Sequence, residues 1–157
     1  MINIRKNQCV GCGACADICS VGCISMLGDP EGFAYPKTDS AKCVSCGACD
    51  RVCPALNVPE FSEKIPQTFL AVNRDEAVVG SSSSGGVFSA FADKVTKAGG
   101  TVCGAAFDGD FSVHHILAEN SEELEKLRTS KYVQSNTGGI YSAVRRELKS
   151  GRRVLFS

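Results

Sequence analysis

Net charge is missing from this sequence: 17 Lys and Arg stand against 17 Asp and Glu. Nothing therefore draws the chain as a whole toward nucleic acid. Also missing is any apolar run near the ~20 residues that a membrane-crossing helix needs. The N-terminus carries no signal-peptide pattern, and the second half of the chain holds a single cysteine, Cys103. A secreted disulfide scaffold fits neither fact, so the expected compartment is reducing and cytoplasmic. Charge is nonetheless uneven. Residues 121–157 carry eight Lys and Arg against four Glu, with Arg145, Arg146 and Lys149 on one helical face. Such a face is ordinarily solvated, and it also suits docking to an acidic partner.

Cysteine is abundant where it occurs. Eight of the ten fall into two runs, Cys9-x2-Cys12-x2-Cys15-x3-Cys19 and Cys43-x2-Cys46-x2-Cys49-x3-Cys53, the second followed by Pro54. This is the bacterial ferredoxin spacing for 4Fe-4S clusters. Three cysteines two residues apart wrap three corners of a cube, and the fourth lies too far round the turn to close it. In two-cluster ferredoxins that fourth cysteine ligates the other cluster. The expected sets are Cys9, Cys12, Cys15 and Cys53 for one cluster, and Cys43, Cys46, Cys49 and Cys19 for the other. Ligation across the two runs makes cluster binding part of the folding energy. Gly11, Gly13 and Gly47 permit tight turns, and Ala14, Ala16 and Ala48 keep bulk away. Ser20 stands where the second run has Pro54. Zinc is the competing metal, but its sites more often pair C-x2-C with a distant second pair. Cys23 and Cys103 read as small core residues.

The fold expected is α+β. Residues 1–58 form a dicluster ferredoxin-type module, 59–67 a polar, proline-flanked linker, and 68–157 a partial α/β domain. Inside the module, Gly28-Asp29-Pro30-Glu31-Gly32 predicts a hairpin turn between two short strands. Beyond the linker, strands are predicted at 68–72, 101–107, 113–117 and from 154. Helices are predicted over 85–98 with Ser84 as N-cap, over 121–127 with Asn120 and Glu123 as a capping box, and on the face Ile140, Val144, Leu148 ending at Gly151. The last strand has no turn after it, so the domain is expected to continue in a longer protein. Gly80-Ser81-Ser82-Ser83-Ser84-Gly85-Gly86 falls between a predicted strand and a helix, a place where exposed backbone N–H groups suit an anion. A plain flexible loop has the same composition. His114 and His115 alternate across a strand, so at most one faces any pocket.

The order of these segments carries a resemblance. Two ferredoxin runs are followed by Ser-Ser-Gly-Gly-Val-Phe, Gly104-Ala105, His114-His115, Ser130-Lys131-Tyr132-Val133-Gln134-Ser135 and Val154-Leu155-Phe156. Over nearly its whole length the chain resembles the coenzyme F-420 hydrogenase/dehydrogenase beta-subunit family. The resemblance implies an iron–sulfur flavoprotein, an oxidoreductase subunit with two 4Fe-4S clusters and FAD. Its clusters exchange single electrons with the flavin, and the flavin exchanges hydride with a two-electron partner such as a deazaflavin. Relatives of that family serve formate dehydrogenases, sulfite reductases and chlorophyll reduction, and many bacterial ones accompany polysaccharide biosynthesis. On this resemblance Ser82, Ser83, Ser84, Gly85 and Gly86 would contact a cofactor phosphate. Lys131 would pair with phosphate or steady a reduced flavin. The Gly-Thr-Pro-Cys segment usual in the family is absent, so a flavin pocket would be incomplete and the fragment alone inactive. The alternative function is a non-catalytic ferredoxin-like carrier whose second half only docks to a redox partner complex. No catalytic residue is assigned.

Overall fold

A computed structural model describes residues 1–58, 60 and 65–157. The predicted linker at 59–67 lies in part outside the described residues. The chain divides into two compact units, Met1–Lys64 with Thr137–Ser142, and Ile65–Asn136 with Ala143–Ser157.

In the first unit, a short 3-10 turn, Lys6–Gln8, precedes the first cysteine run. Helix α1 (Ala14–Asp17) and helix α2 (Ala48–Val52) each begin at a left-handed glycine, Gly13 at φ 73° and Gly47 at φ 70°. A residue with a Cβ would be strained at both positions, so glycine is what lets each cysteine loop turn directly into its helix. Between the helices, β1 (Ile24–Gly28) pairs antiparallel with β2 (Ala34–Thr38), in the register Ile24 to Thr38 and Met26 to Pro36. The predicted hairpin is present. Its turn is held by Asp29, whose Oδ1 accepts from the N–H groups of Glu31 and Phe33, while Oδ2 meets Lys6 Nζ at 2.7 Å. The buried centre of this unit is Cys15, Cys23, Ile24 and Cys49, with Ile2 and Met26 against it. Half of that core is thiol, too little hydrocarbon for a stable small module without further support.

The second unit holds a three-stranded sheet in the order β4-β3-β5. Strand β3 (Thr101–Phe107) runs antiparallel to β4 (Val113–Ala118) and parallel to β5 (Val154–Phe156). As the middle strand, β3 is buried on both faces, and Val102 and Cys103 have no exposure. Burial of Cys103 pushes its thiol up to about 11, which fits a neutral core residue. Three helices follow the sequence expectation closely: α4 (Val87–Lys97), α5 (Ser121–Leu127) and α6 (Ile140–Lys149). Ala92 of α4 and Leu124 and Leu127 of α5 pack on Val102, Ala106 and Ala118. Gly104 leaves room for Leu127, whose Cδ1 would stand 3.2 Å from a Cβ there. Asn120 Oδ1 accepts from Glu123 N–H at 3.0 Å, and Glu123 reaches back to the N–H of Glu119 at 2.8 Å. The predicted capping box therefore exists, closed one residue further out.

Two expectations fail locally. Thr68–Val72 forms no strand and joins no sheet. A short helix, α3 (Glu76–Gly80), lies between it and the Ser/Gly loop, capped by Asp75, whose carboxylate accepts from Ala77 and Val78 N–H. The Ser/Gly loop thus joins two helices rather than a strand and a helix. Ser84 is not the cap of α4 either. That place belongs to Gly86 at φ 72°, which offers no side-chain cap. A Cβ on Gly86 would press on Asn73, Val78 and Ser82, so crowding as well as backbone angle demands glycine there.

Candidate functional site

Each cysteine loop opens onto a hollow, and each hollow draws on both runs. One is walled by Cys9, Cys12 and Cys15 with Cys53, and is backed by Ile2, Ile4, Met26 and Pro36. The other is walled by Cys43, Cys46 and Cys49 with Cys19. Backing comes from the β1–β2 hairpin, where Ile24 and Met26 share a face because side chains alternate along a strand. Among the described residues no three His, Cys, Asp or Glu groups converge on a single ion. Burial, then the neighbouring Cys12, pushes the Cys15 thiol up to about 11. A metal centre that displaces this proton removes that cost.

Cys23 is the residue that sequence spacing missed. It too walls the second hollow. Its Sγ lies 3.4 Å from Cys19 Sγ, and its backbone N–H donates to the same sulfur at 3.4 Å. Hydrogen bonding to Cys19, then burial, pushes the Cys23 thiol up to about 11. The Cys19 thiol is held below its ordinary value by those same contacts with Cys23. A metal centre bound through Cys19 would leave Cys23 as the partner that can keep its proton and donate to that sulfur. The only available signal was the i, i+4 interval from Cys19.

Residues 8–57 match the family model of the 4Fe-4S dicluster domain. That is the ferredoxin module. No curated protein matches the chain. The dicluster domain supports an iron–sulfur electron-transfer role with a redox partner. Among the described residues no helix is long and apolar enough to cross a membrane.

A hydrogen bond to a ligating sulfur stabilises the reduced, more negative cluster. Cys23→Ala is thus expected to keep both clusters and lower one potential. The shift should be roughly 40 mV if the bond contributes ~1 kcal/mol to a one-electron couple. A redox titration followed by electron paramagnetic resonance reads this, and two unchanged potentials would show that the thiol donates nothing.

In the second unit, the Ser/Gly loop does line a cleft. About 330 Å³ is enclosed by Ser82, Ser83, Ser84, Gly85, Gly86, Val87 and Phe88 on one side. Leu127, Arg128, Thr129, Ser130 and Ser157 form the other side. Gly85 lies so close to the segment before α3 that a Cβ would collide with the Ala71 carbonyl. Asn73 completes the contact, its N–H donating to Gly85 O at 2.7 Å. Across the cleft Arg128 Nη1 donates to Ser81 Oγ at 3.2 Å, and Ser130 N–H donates to Ser83 Oγ at 3.1 Å.

Lys131 is placed differently from the sequence expectation. It does not line the cleft. Its Nζ donates to the carbonyls of Lys126 and Arg128, at 2.9 and 2.6 Å, and so closes the C-terminal end of α5. Partial burial lowers its pKa. The guanidinium at the cleft is Arg128, which the sequence did not single out because it stands two residues ahead of the 130–135 segment and not within it. Both histidines also have structural partners. His114 Nδ1 meets Asp108 Oδ2 at 2.9 Å. His115 bonds Ser135 Oγ at 2.8 Å and stacks on Phe156.

Proposed function

We propose that the chain is part of an oxidoreductase in which a dicluster ferredoxin module exchanges single electrons with a flavin-dependent domain. The observation that carries the reading is the crosswise gathering of cysteines. One hollow collects Cys9, Cys12, Cys15 and Cys53, and the other Cys43, Cys46, Cys49 and Cys19. These are the residues that would hold the two clusters. When bound, the clusters supply one-electron chemistry, and a flavin supplies the exchange between one- and two-electron steps. The chain's own part is to hold eight thiolates, to keep water off them with Ile2, Ile4, Ile24 and Met26, and to position the cofactor domain.

The flavin reading draws support from the cleft. Its floor is a loop of small residues leading into the uncapped N-terminus of α4, and Arg128 faces it. Backbone N–H groups and a guanidinium together suit a phosphate. Ser82 to Gly86 remain the proposed contacts. Arg128 takes the charge-pairing role that Lys131, engaged with α5 carbonyls, does not fill. The coenzyme F-420 beta-subunit likeness and a deazaflavin partner belong to the same proposal.

One anaerobic preparation, analysed for iron, sulfide and flavin with its visible spectrum, tests both parts. About eight iron and eight sulfide per chain with bound flavin is the expected result. The same iron without flavin, even when FAD is added, would leave a ferredoxin-like carrier. Zinc in place of iron would overturn the reading.

A further inference from the structure

The two cysteine runs align residue for residue, and the alignment exposes one inversion. Position for position, Cys12 corresponds to Cys46, Gly13 to Gly47, and Asp17 to Arg51. In the second run Arg51 satisfies its own loop: Nη1 donates to the Cys46 carbonyl at 3.0 Å and sits where a Cβ on Gly47 would meet it at 3.3 Å. In the first run the corresponding residue is an aspartate, which has no proton to give. The Cys12 carbonyl is instead served from far along the chain. Thr137 Oγ1 donates to it at 2.7 Å and Tyr141 Oη at 2.9 Å. Thr137 Oγ1 takes the place that the Arg51 guanidinium takes in the other run, 2.6 Å from where a Cβ on Gly13 would stand. Asp17 in turn accepts from Ser142, through the backbone N–H at 3.0 Å and through the hydroxyl in a very short bond. These donors belong to the same compact unit as the cluster loops.

We propose that Thr137, Tyr141 and Ser142 are a positioning latch for the first cluster, replacing by distant residues what Arg51 does locally for the second. It rests on the ligand assignment above. The loop carrying Cys9, Cys12 and Cys15 holds its ligating geometry only when the latch is closed, whereas the loop of Cys43, Cys46 and Cys49 is self-sufficient. The module extends to residues 137–142 and does not end at residue 58.

The test uses the reconstituted 157-residue chain, and reads the rate at which a chelator exposes each run to cysteine alkylation, mapped by peptide mass. Cleavage at Lys and Arg puts Cys9, Cys12 and Cys15 on a different peptide from Cys43, Cys46 and Cys49. Thr137→Val with Tyr141→Phe removes both donors while keeping their bulk. Exposure of the first run is expected to accelerate tenfold or more, about the loss of two hydrogen bonds, with the second run unchanged. Unchanged rates or equal acceleration of both runs would each overturn the latch. If the double variant does not fold, Tyr141→Phe alone is read in the same way, and a rate equal to the parent's is again fatal. A parent chain that binds no iron would fail at the ligand assignment instead, which separates the two proposals.

Discussion

Cys53→Ala is expected to empty the cluster of the first cysteine run, not its own. The side chain of Cys53 walls the hollow of Cys9, Cys12 and Cys15, so removing it leaves that cube one thiolate short. Iron should fall from about eight to about four per chain. Alkylation should then reach Cys9, Cys12 and Cys15 while Cys43, Cys46 and Cys49 stay protected. Because metal binding is folding energy in a module this poor in hydrocarbon, its thermal unfolding should move down as well. Protection lost at Cys43, Cys46 and Cys49 instead would mean that each run binds its own cluster. Cys46→Ala, which removes a ligand from within its own run, should cost the second cluster and spare the first.

Gly85→Ala is expected to disrupt the cleft and destabilise its unit. A single methyl there meets the Ala71 carbonyl well inside contact distance, with the Val72 Cα 3.3 Å away. Both obstacles are backbone, so no rotamer relieves the clash. The segment carrying Ala71 must move, which strains the Asn73 N–H to Gly85 O bond. Overpacking of this kind costs about 1–3 kcal/mol, and a urea titration of the second unit would report it. Flavin affinity should fall with it. Gly80→Ala, at the last residue of α3 just before the loop, where a Cβ meets nothing within 4 Å, is the control. Equal stability for the two variants would show that the packing around Gly85 is looser than described.

The periodic and covalent features of this protein were legible in its sequence, and the contingent ones were not. The cysteine intervals anticipated which cysteines line each hollow; that each hollow holds a cluster belongs to the proposal. Apolar periodicity placed α4 and α6, since burial of one face leaves a repeat in the sequence; the capping pattern placed α5, and apolar runs placed β3 and β4. Thr68–Val72 shows the limit. Its residues favour a strand, but a strand needs a neighbour, and the edges of β3 went to β4 and β5. Helix α3 was missed because five residues are too few to show a period. Lys131 and Arg128 were exchanged for a related reason. Both are cations near one loop, and only the end of α5 decides which folds back onto carbonyls and which stands at the cleft.

The donors to the Cys12 carbonyl bear on timing during synthesis. Cys53 completes the set of thiols, but Tyr141 follows about 90 residues later. At ~5–20 residues per second that gap is roughly 5 to 20 s. On the proposed ligand assignment and latch, the nascent chain for this interval would display all eight ligands with one loop finished and the other waiting. Iron delivered during translation would enter the two sites in a fixed order, the Arg51 side first.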